Sequence, residues 1–264
     1  MLKGYLLMPK LLIMLQQWTD KWIRSNAVEL LESEGATPQG IQIIDELNCI
    51  YRRTGLTKKI VHSIGDEVQR IYESTGKPVR ILELGMRDGA NLKELGHFGL
   101  REGIPLELHG IEFKQNIVNL AEKRLNTQST TIYSHFEDSN DLQSFSSNDF
   151  DIVYSAFVLH HQSYIELKQI LLASFRISKY SVLHIDLSRS IFGIIILWVY
   201  YTLFGYHKSR HDAVLSCRRA YRSNEISKVM KELNLNRSVS IKQFFPFYWS
   251  IHRPFSKSIH KEAT

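Results

Sequence analysis

Hydrophobic residues recur along the chain at two different spacings, and the change between them divides it. From Thr19 to about Ser74, apolar residues such as Ile41, Ile44 and Leu47 follow one another every three or four positions, the spacing of an amphipathic helix. After Gly76-Lys77-Pro78, short β-rich runs alternate with helical segments. We therefore expect two or three N-terminal helices, followed by a domain in which strands and helices alternate.

Five apolar runs in this second part are typical of strands, and helical segments separate most of them. They are VRILEL, LELHGIEF, TIYSHF, DIVYSAFV and SVLHIDL. Strands that alternate with helices form βαβ units, so we expect an α/β fold with a mostly parallel sheet and helices on both faces. A last helix is expected over Ser223 to Leu233, and a final strand-like run over Ser238 to Tyr248.

One apolar stretch interrupts this alternation after the fifth run. Ile191 to Phe204 has 14 residues and no charge, whereas a membrane-spanning helix needs about 20 apolar residues. The net charge of +6 is concentrated behind it, because residues 207–264 contain twelve Lys and Arg against four Asp and Glu. We expect an apolar helical insertion at about 190–222 that forms a pocket wall or lid. The alternative is that 191–204 and the basic C-terminal region rest on an anionic membrane surface.

Composition narrows the class of protein without naming a function. With 264 residues, 44% hydrophobic and 23% charged, the chain is of the globular type. Its two cysteines, Cys49 and Cys217, are too few for a disulfide framework or a thiolate metal site, so we expect no metal and a cytoplasmic location. Met1 to Trp18 is apolar but interrupted, and we expect a short appendage, or an alternative start at Met14, rather than a signal peptide. The expected division is a helical extension over 1–74, a main domain over 75–254 and a tail over 255–264.

The first strand–helix turn contains the first candidate chemistry. It runs from Glu83 through Gly85 to Gly89, and glycines there let the backbone approach a ligand closely. Glu112 ends the second strand 29 residues after Glu83, where a carboxylate can accept both hydroxyls of a ribose. The alternative is a tight turn beside a surface acid. The combination favours a nucleoside-binding site.

Four segments follow the order of the predicted strands: Glu83-x-Gly85-x-x-x-Gly89, Gly110-Ile111-Glu112-Phe113, Phe136-Glu137-Asp138 and Phe150-Asp151-Ile152-Val153-Tyr154-Ser155. Together they resemble the motifs of class I S-adenosylmethionine-dependent methyltransferases. The resemblance implies a Rossmann-like, seven-stranded sheet with a final antiparallel hairpin, and S-adenosyl-L-methionine across the carboxyl ends of the first four strands.

The resemblance also implies a role for each residue of these motifs. Gly85 and Gly89 would face the methionine part of the cofactor, Glu112 its ribose and Phe113 one face of its adenine. The full cofactor-binding set that we expect is Glu83, Gly85, Met86, Arg87, Gly89, Glu112, Phe113, Glu137, Asp138, Ser155 and Ala156. Arg87 departs from the family pattern, in which glycine is usual, so its side chain must turn away from the cofactor or reshape the carboxylate end of the site.

Beyond these motifs the chain is similar to bacterial small-molecule methyltransferases associated with quinone or polyketide modification. The similarity includes the run Phe157-Val158-Leu159-His160-His161. His160 or His161 is the candidate catalytic base; the alternative is that both stabilise the fold. Asp186 and Arg189 are candidates to orient a polar acceptor; the alternative is that they form an ion pair with each other. Further candidates for the substrate site are Trp198 and Tyr201, as an aromatic wall, and His211, which is alternatively part of a solvated charge cluster.

These observations favour one function over two alternatives. We expect an S-adenosylmethionine-dependent methyltransferase acting on a hydroxyl, or less readily an activated carbon, of a hydrophobic small molecule in natural product biosynthesis. Arg87 motivates the first alternative, a non-catalytic or repurposed methyltransferase fold. The basic C-terminal region motivates the second, a nucleic-acid methyltransferase; against it, Ser155-Ala156-Phe157-Val158 lacks the Asn/Asp-Pro-Pro-aromatic arrangement expected for base methylation.

Overall fold

Three helices precede the sheet in the computed structural model of the protein, which describes residues 23–125, 131–136, 142–244 and 247–256. They are α1 (Leu30–Glu34), α2 (Pro38–Arg53) and α3 (Leu56–Thr75). Helix α2 begins where the sequence favours it, because Pro38 lies in its first turn and the Thr37 hydroxyl accepts a hydrogen bond from the Gly40 amide at 3.2 Å. The predicted N-terminal helices are thus confirmed, whereas the prediction for Met1 to Trp18 lies outside the described residues.

The main domain is built on one seven-stranded sheet. Its strands are β1 (Val79–Leu84), β2 (Leu106–Glu112), β3 (Ile132–Phe136), β4 (Phe150–Ala156), β5 (Ser178–Leu187), β6 (Ser240–Phe244) and β7 (Tyr248–Arg253). They lie in the order β3-β2-β1-β4-β5-β7-β6. Strands β1 to β5 are parallel, and β7 is antiparallel to both β5 and β6. This confirms the Rossmann-like sheet with a final antiparallel hairpin.

Helices cover both faces of the sheet. They include α4 (Ala90–Glu102), α5 (Gln115–Leu125), α6 (Tyr164–Ile177) and, near the C-terminus, Ser223–Glu232. Successive residues of a strand point to opposite faces, and β1 shows the result. Ile81 belongs to one hydrophobic core with Ile64 of α3 and Leu95 of α4, whereas Leu82 belongs to a second core with Ile170 of α6.

The expected helical insertion follows β5. It consists of α7 (Ile191–Leu203) and α8 (His207–Arg219), and Ser223–Glu232 is accordingly α9. Hydrogen bonds join the insertion to the N-terminal helices: Glu46 accepts from the amide and hydroxyl of Ser209, and Asp212 accepts from the amides of Leu30 and Leu31. Within the described ranges no helix is both long and apolar enough to cross a membrane.

The C-terminal part of the sheet differs from the predicted strand-like run over Ser238 to Tyr248. That run contains the whole of β6, which ends at Phe244, and only the first residue of β7, which starts at Tyr248 and continues to Arg253. Pro246 lies between them in the sequence. A proline has no N–H to donate to a ladder, so a continuous strand was the wrong interpretation of these residues.

Candidate active site

The turn after β1 has positive φ angles at Gly85 and Arg87, and only the first of them is a glycine. Gly85 has a φ of 69°, and a Cβ placed on it would lie 2.5 Å from Cγ2 of Val158. Arg87 has a φ of 54°, which a residue with a side chain adopts at a cost. The turn therefore requires glycine at 85 and accepts strain at 87, at the edge of the sheet where a ligand is expected.

Glu83 presents a buried carboxylate beneath this turn. Its Oε1 accepts a hydrogen bond of 2.8 Å from the Asn91 amide, while its buried Oε2 makes none with the described residues. Burial raises the pKa of Glu83 to about 8, against the opposing hydrogen bond from Asn91. Glu83 is buried and does not line the cavity, and the Tyr154 hydroxyl also faces its carboxylate. The structure therefore places Glu83 behind the turn and not on the cavity wall.

Glu112 lies at the end of β2 and lines the same cavity as Met86 and Phe113. Its Oε1 accepts from the Phe113 amide at 3.0 Å and its Oε2 from the Arg87 amide at 3.2 Å. Burial raises the pKa of Glu112 to about 7 despite these bonds. The carboxylate has further lone pairs for a ligand, as expected of a ribose-binding residue.

The side chain of Arg87 turns toward helix α2. Its Nη2 donates to Oδ1 of Asn48 at 3.2 Å, and the guanidinium lies 5.3 Å from the ring centroid of Tyr51. Asn48 in turn donates to Asp88 at 2.8 Å. Arg87 thus joins the turn to the N-terminal helices and at the same time lines the cavity.

The remaining predicted cofactor residues differ in their placement. Ala156 lines the cavity at the end of β4. Ser155 is buried, and its hydroxyl lies 2.8 Å from Nδ1 of His184, so it contacts the neighbouring strand. Glu137 and Asp138 lie outside the described residues.

The two candidate histidines stand on a short 3₁₀ helix, Leu159–His161, directly after β4. His160 is buried: its Nδ1 lies 2.7 Å from Oδ1 of Asp186, and its Nε2 lies 3.5 Å from Oε1 of Glu29. Burial alone would lower the pKa of His160, but these two carboxylates raise it to about 10. His160 is therefore an imidazolium at neutral pH, a form with no lone pair to accept a proton.

His161 lies beside His160, with ring centroids 4.2 Å apart. Its Nδ1 is 3.4 Å from Oε2 of Glu32, and its Nε2 is 3.9 Å from Oε2 of Glu29. Its side chain is 27% exposed and lines the cavity. Of the two histidines, His161 is the one whose geometry suits a base.

Sequence reasoning missed Glu29 and Glu32, which come from the N-terminal segment. Burial would raise the pKa of Glu29, but its interactions with His161 and His160, together with hydrogen bonds from His160 and Ser216, lower it to about 2. The pKa of Glu32 is also about 2, lowered mainly by a hydrogen bond from His161 and by Arg219. Glu29 and Glu32 are therefore both ionised at neutral pH.

A cavity of about 670 Å³ joins these groups to the turn after β1. Its remaining wall is largely apolar and aromatic and comes from α2, from α7 and from the segment leading into β7: Leu47, Ile50, Tyr51, Leu197, Tyr200, Tyr201, Phe247 and Tyr248. Phe157 adds a further ring and has a φ of 62°, which is unusual for a bulky residue and typical of functional sites. The predicted wall residue Tyr201 lies in this cavity.

The other predicted substrate residues lie outside the cavity wall. Asp186 is buried against His160. Arg189, which was expected to orient an acceptor with Asp186 or to pair with it, forms an ion pair with Glu225 at 2.8 Å. The ring of Trp198 lies on the outer face of α7, and His211 is exposed beside Asp212. None of these four reaches the cavity in the described structure, because their helices and strand direct them to neighbouring elements or to solvent.

A comparison with protein families supports the class of enzyme that the motifs resemble. Residues 81–181 match the family model described as a methyltransferase domain. A comparison of the sequence with curated proteins gives no match.

Solved structures of the same fold are similar at low identity. The plantazolicin methyltransferase BpumL, in complex with a monoazolic desmethylPZN analog and SAH (S-adenosylhomocysteine), is 14% identical with a TM-score of 0.60, covering 91% of this chain and 99% of that one. The citrinin polyketide synthase CMeT domain is 13% identical with a TM-score of 0.60, covering 85% of this chain and 59% of that one. The magnesium protoporphyrin IX methyltransferase ChlM from Synechocystis PCC 6803 is 13% identical with a TM-score of 0.51, covering 81% and 94%.

The sheet order and the crevice at the strand ends define a Rossmann-like methyltransferase fold. Residues 81–181 match a methyltransferase domain, and the sheet order is the one that the resemblance to class I S-adenosylmethionine-dependent methyltransferases implied. The carboxylate of Glu112, which lines the cavity beside the glycine turn, fits the cofactor of this class of enzyme, S-adenosyl-L-methionine.

Proposed function

We propose that the protein methylates a hydroxyl of an apolar small molecule in natural product biosynthesis. The observation that carries the proposal is the continuity of one cavity, which runs from Gly85 and Glu112 past His161 to an aromatic wall that includes Tyr201. Such a wall binds an apolar acceptor, and a few polar groups orient it. S-adenosyl-L-methionine supplies the methyl group as an electrophilic carbon.

His161 is the proposed base in this cavity. Glu32 accepts at Nδ1, which favours the tautomer whose lone pair lies on Nε2. His161 would take the hydroxyl proton, and Glu29, whose Oε2 lies 3.9 Å from Nε2, would stabilise the imidazolium that forms. The cofactor, when bound, would give its methyl group to the acceptor oxygen and leave as S-adenosylhomocysteine. His160 stays protonated between Asp186 and Glu29, and it holds the Glu29 carboxylate in place beside His161.

A carbon acceptor is the second candidate. The similar structures include a polyketide synthase CMeT domain and a carbon methyltransferase, DszA, at 14% identity. We also propose that α7 contacts a membrane peripherally while the rest of the protein lies in the cytoplasm. We do not propose a nucleic-acid substrate, because the cavity wall is apolar.

Methyl transfer to a panel of hydrophobic phenols and alcohols, with activated-methylene compounds in parallel, tests the proposal. We expect a product with one added methyl group from hydroxyl acceptors, detected by mass, and a loss of kcat of about 10²-fold in His161→Gln. For phenols the loss should shrink at high pH, where the acceptor ionises without a base. His97→Gln, at an exposed histidine on α4, is the matched control. Methylation of carbon acceptors alone would overturn the hydroxyl assignment.

A further inference from the structure

Helix α7 is apolar on every side, although only one side faces the protein. Gly193, Leu197 and Tyr201 form its buried stripe at four-residue spacing. Phe192 and Leu203 are 76% and 77% exposed. The outer face also includes Ile191, Ile195, Ile196, Trp198, Val199 and Phe204, all exposed. Soluble monomers rarely leave so large a contiguous apolar face in water, so this face marks a contact with an apolar partner.

Positive charge borders the C-terminal end of this helix. The Arg210 guanidinium lies 5.9 Å from the ring centroid of Trp198 and donates to Thr202 at 3.0 Å. Arg53 of α2 donates to the Tyr206 hydroxyl at 2.9 Å, in the turn between α7 and α8. Lys208 is exposed in the first turn of α8. An apolar face bordered by cations is complementary to a bilayer surface with anionic headgroups.

The exposed face and the cavity share residues. Ile196 is 41% exposed on α7 and also lines the cavity, and Phe244, at the end of β6, is 48% exposed and lines it too. Tyr200 continues the lining inward from α7. The outer face of α7 and the cavity wall therefore meet at Ile196.

We propose that α7 docks the protein on an anionic membrane and that the acceptor enters the cavity directly from the bilayer. This inference rests on the proposed function, since it assigns the acceptor to the class of membrane-partitioned apolar molecules. A helix of 13 residues is about 20 Å long, which suits a position within the interface rather than across it. The apolar side chains enter the acyl boundary while Arg53, Lys208 and Arg210 meet the headgroups.

Co-sedimentation of the full chain with vesicles of phosphatidylcholine and phosphatidylglycerol tests the docking. We expect binding that weakens without phosphatidylglycerol and at high salt. The double variant Phe192→Gln/Leu203→Gln should bind about tenfold more weakly or worse. The control Leu100→Gln/Ile165→Gln removes two comparably exposed apolar side chains from α4 and α6 and should bind as the parent does. A blue shift of fluorescence that disappears in Trp198→Phe would place α7 itself at the lipid.

Two results would overturn the docking. One is equal vesicle binding, or none, by the parent and the α7 variant. The other is a dimer, seen by light scattering, that the α7 variant dissociates and that does not bind vesicles, which would assign the face to a second copy of the chain. Methyl transfer to a water-soluble acceptor is measured on the same preparations without lipid. Activity without vesicle binding rejects the docking alone, whereas vesicle binding without activity rejects the proposed function alone.

Discussion

His160 Nδ1 lies 2.7 Å from Asp186 Oδ1, in a pair that solvent does not reach. On the other side of the ring, Nε2 faces Glu29 at 3.5 Å. Although burial opposes a charge there, the two carboxylates raise the pKa of His160 to about 10. Stability and pH are therefore linked through this residue.

We predict that the contribution of His160 to the free energy of unfolding declines as the pH rises. The pKa is raised above the value of about 6.5 for an unfolded histidine, so the contribution is fully present below that value and is lost as the pH rises to about 10. Urea unfolding of the parent and of His160→Gln between about pH 6.5 and pH 10 measures this contribution. The difference between the two should shrink steadily with pH; parallel curves would contradict the assignment.

Much of the proposed cofactor site could be predicted from sequence, whereas the surroundings of the histidines could not. Glu83 and Gly85 lie at the carboxyl end of β1 and Glu112 ends the neighbouring parallel strand β2, so spacing along the chain places them at one edge of the sheet. Glu29 reaches the site because α1 is held by Asp212, 182 residues away from Leu30. No local pattern encodes such a contact. The pairing of His160 with Asp186 likewise depends on the conformation of the segment after β4.

We predict that a chelator leaves methyl transfer unchanged. Glu29, His160 and His161 offer ligand atoms that all lie within 4.8 Å of one another, an arrangement that also suits a metal ion. Here the protonated His160 already balances the charge of Glu29. Initial rates with and without EDTA, together with metal analysis of the purified protein, measure this. A rate that EDTA removes and a divalent cation restores would assign a metal to the cluster.

Glu112 should make cofactor affinity depend on pH. Its pKa is raised by burial to about 7, and ribose hydroxyls donate most favourably to the ionised carboxylate. Affinity for S-adenosylhomocysteine should therefore rise between about pH 6 and pH 8. Calorimetric titrations of the parent and of Glu112→Gln measure the effect. The variant should bind more weakly and lose that part of the pH dependence; an unchanged profile would exclude Glu112 as its origin.

Replacement of Arg87 should affect stability more than cofactor affinity. In Arg87→Gly the strained φ of 54° is relieved, by roughly 1 kcal/mol, but the hydrogen bond to Asn48 and the stacking on Tyr51 are lost. Hydrogen bonds to a charged group contribute about 1.5–3 kcal/mol, so we expect a net decrease in the free energy of unfolding in urea. S-adenosylhomocysteine binding should stay within about threefold of the parent. A large gain in affinity would instead favour the repurposed fold.

Alanine substitutions at Gly85 and Gly103 separate two costs in stability: backbone strain at positive φ, and steric overlap of the added Cβ with a neighbouring side chain. Both have positive φ, 69° and 66°, so alanine at either position costs roughly 1–2 kcal/mol of stability. A Cβ at 103 meets nothing within 4 Å, whereas a Cβ at 85 lies 2.5 Å from Cγ2 of Val158 and next to the cavity. Gly85→Ala should therefore lose more unfolding free energy than Gly103→Ala and should also lose affinity for S-adenosylhomocysteine, which Gly103→Ala retains. Equal effects of the two substitutions on both measurements would show that the turn after β1 tolerates a side chain at 85 and that close backbone approach there is not required.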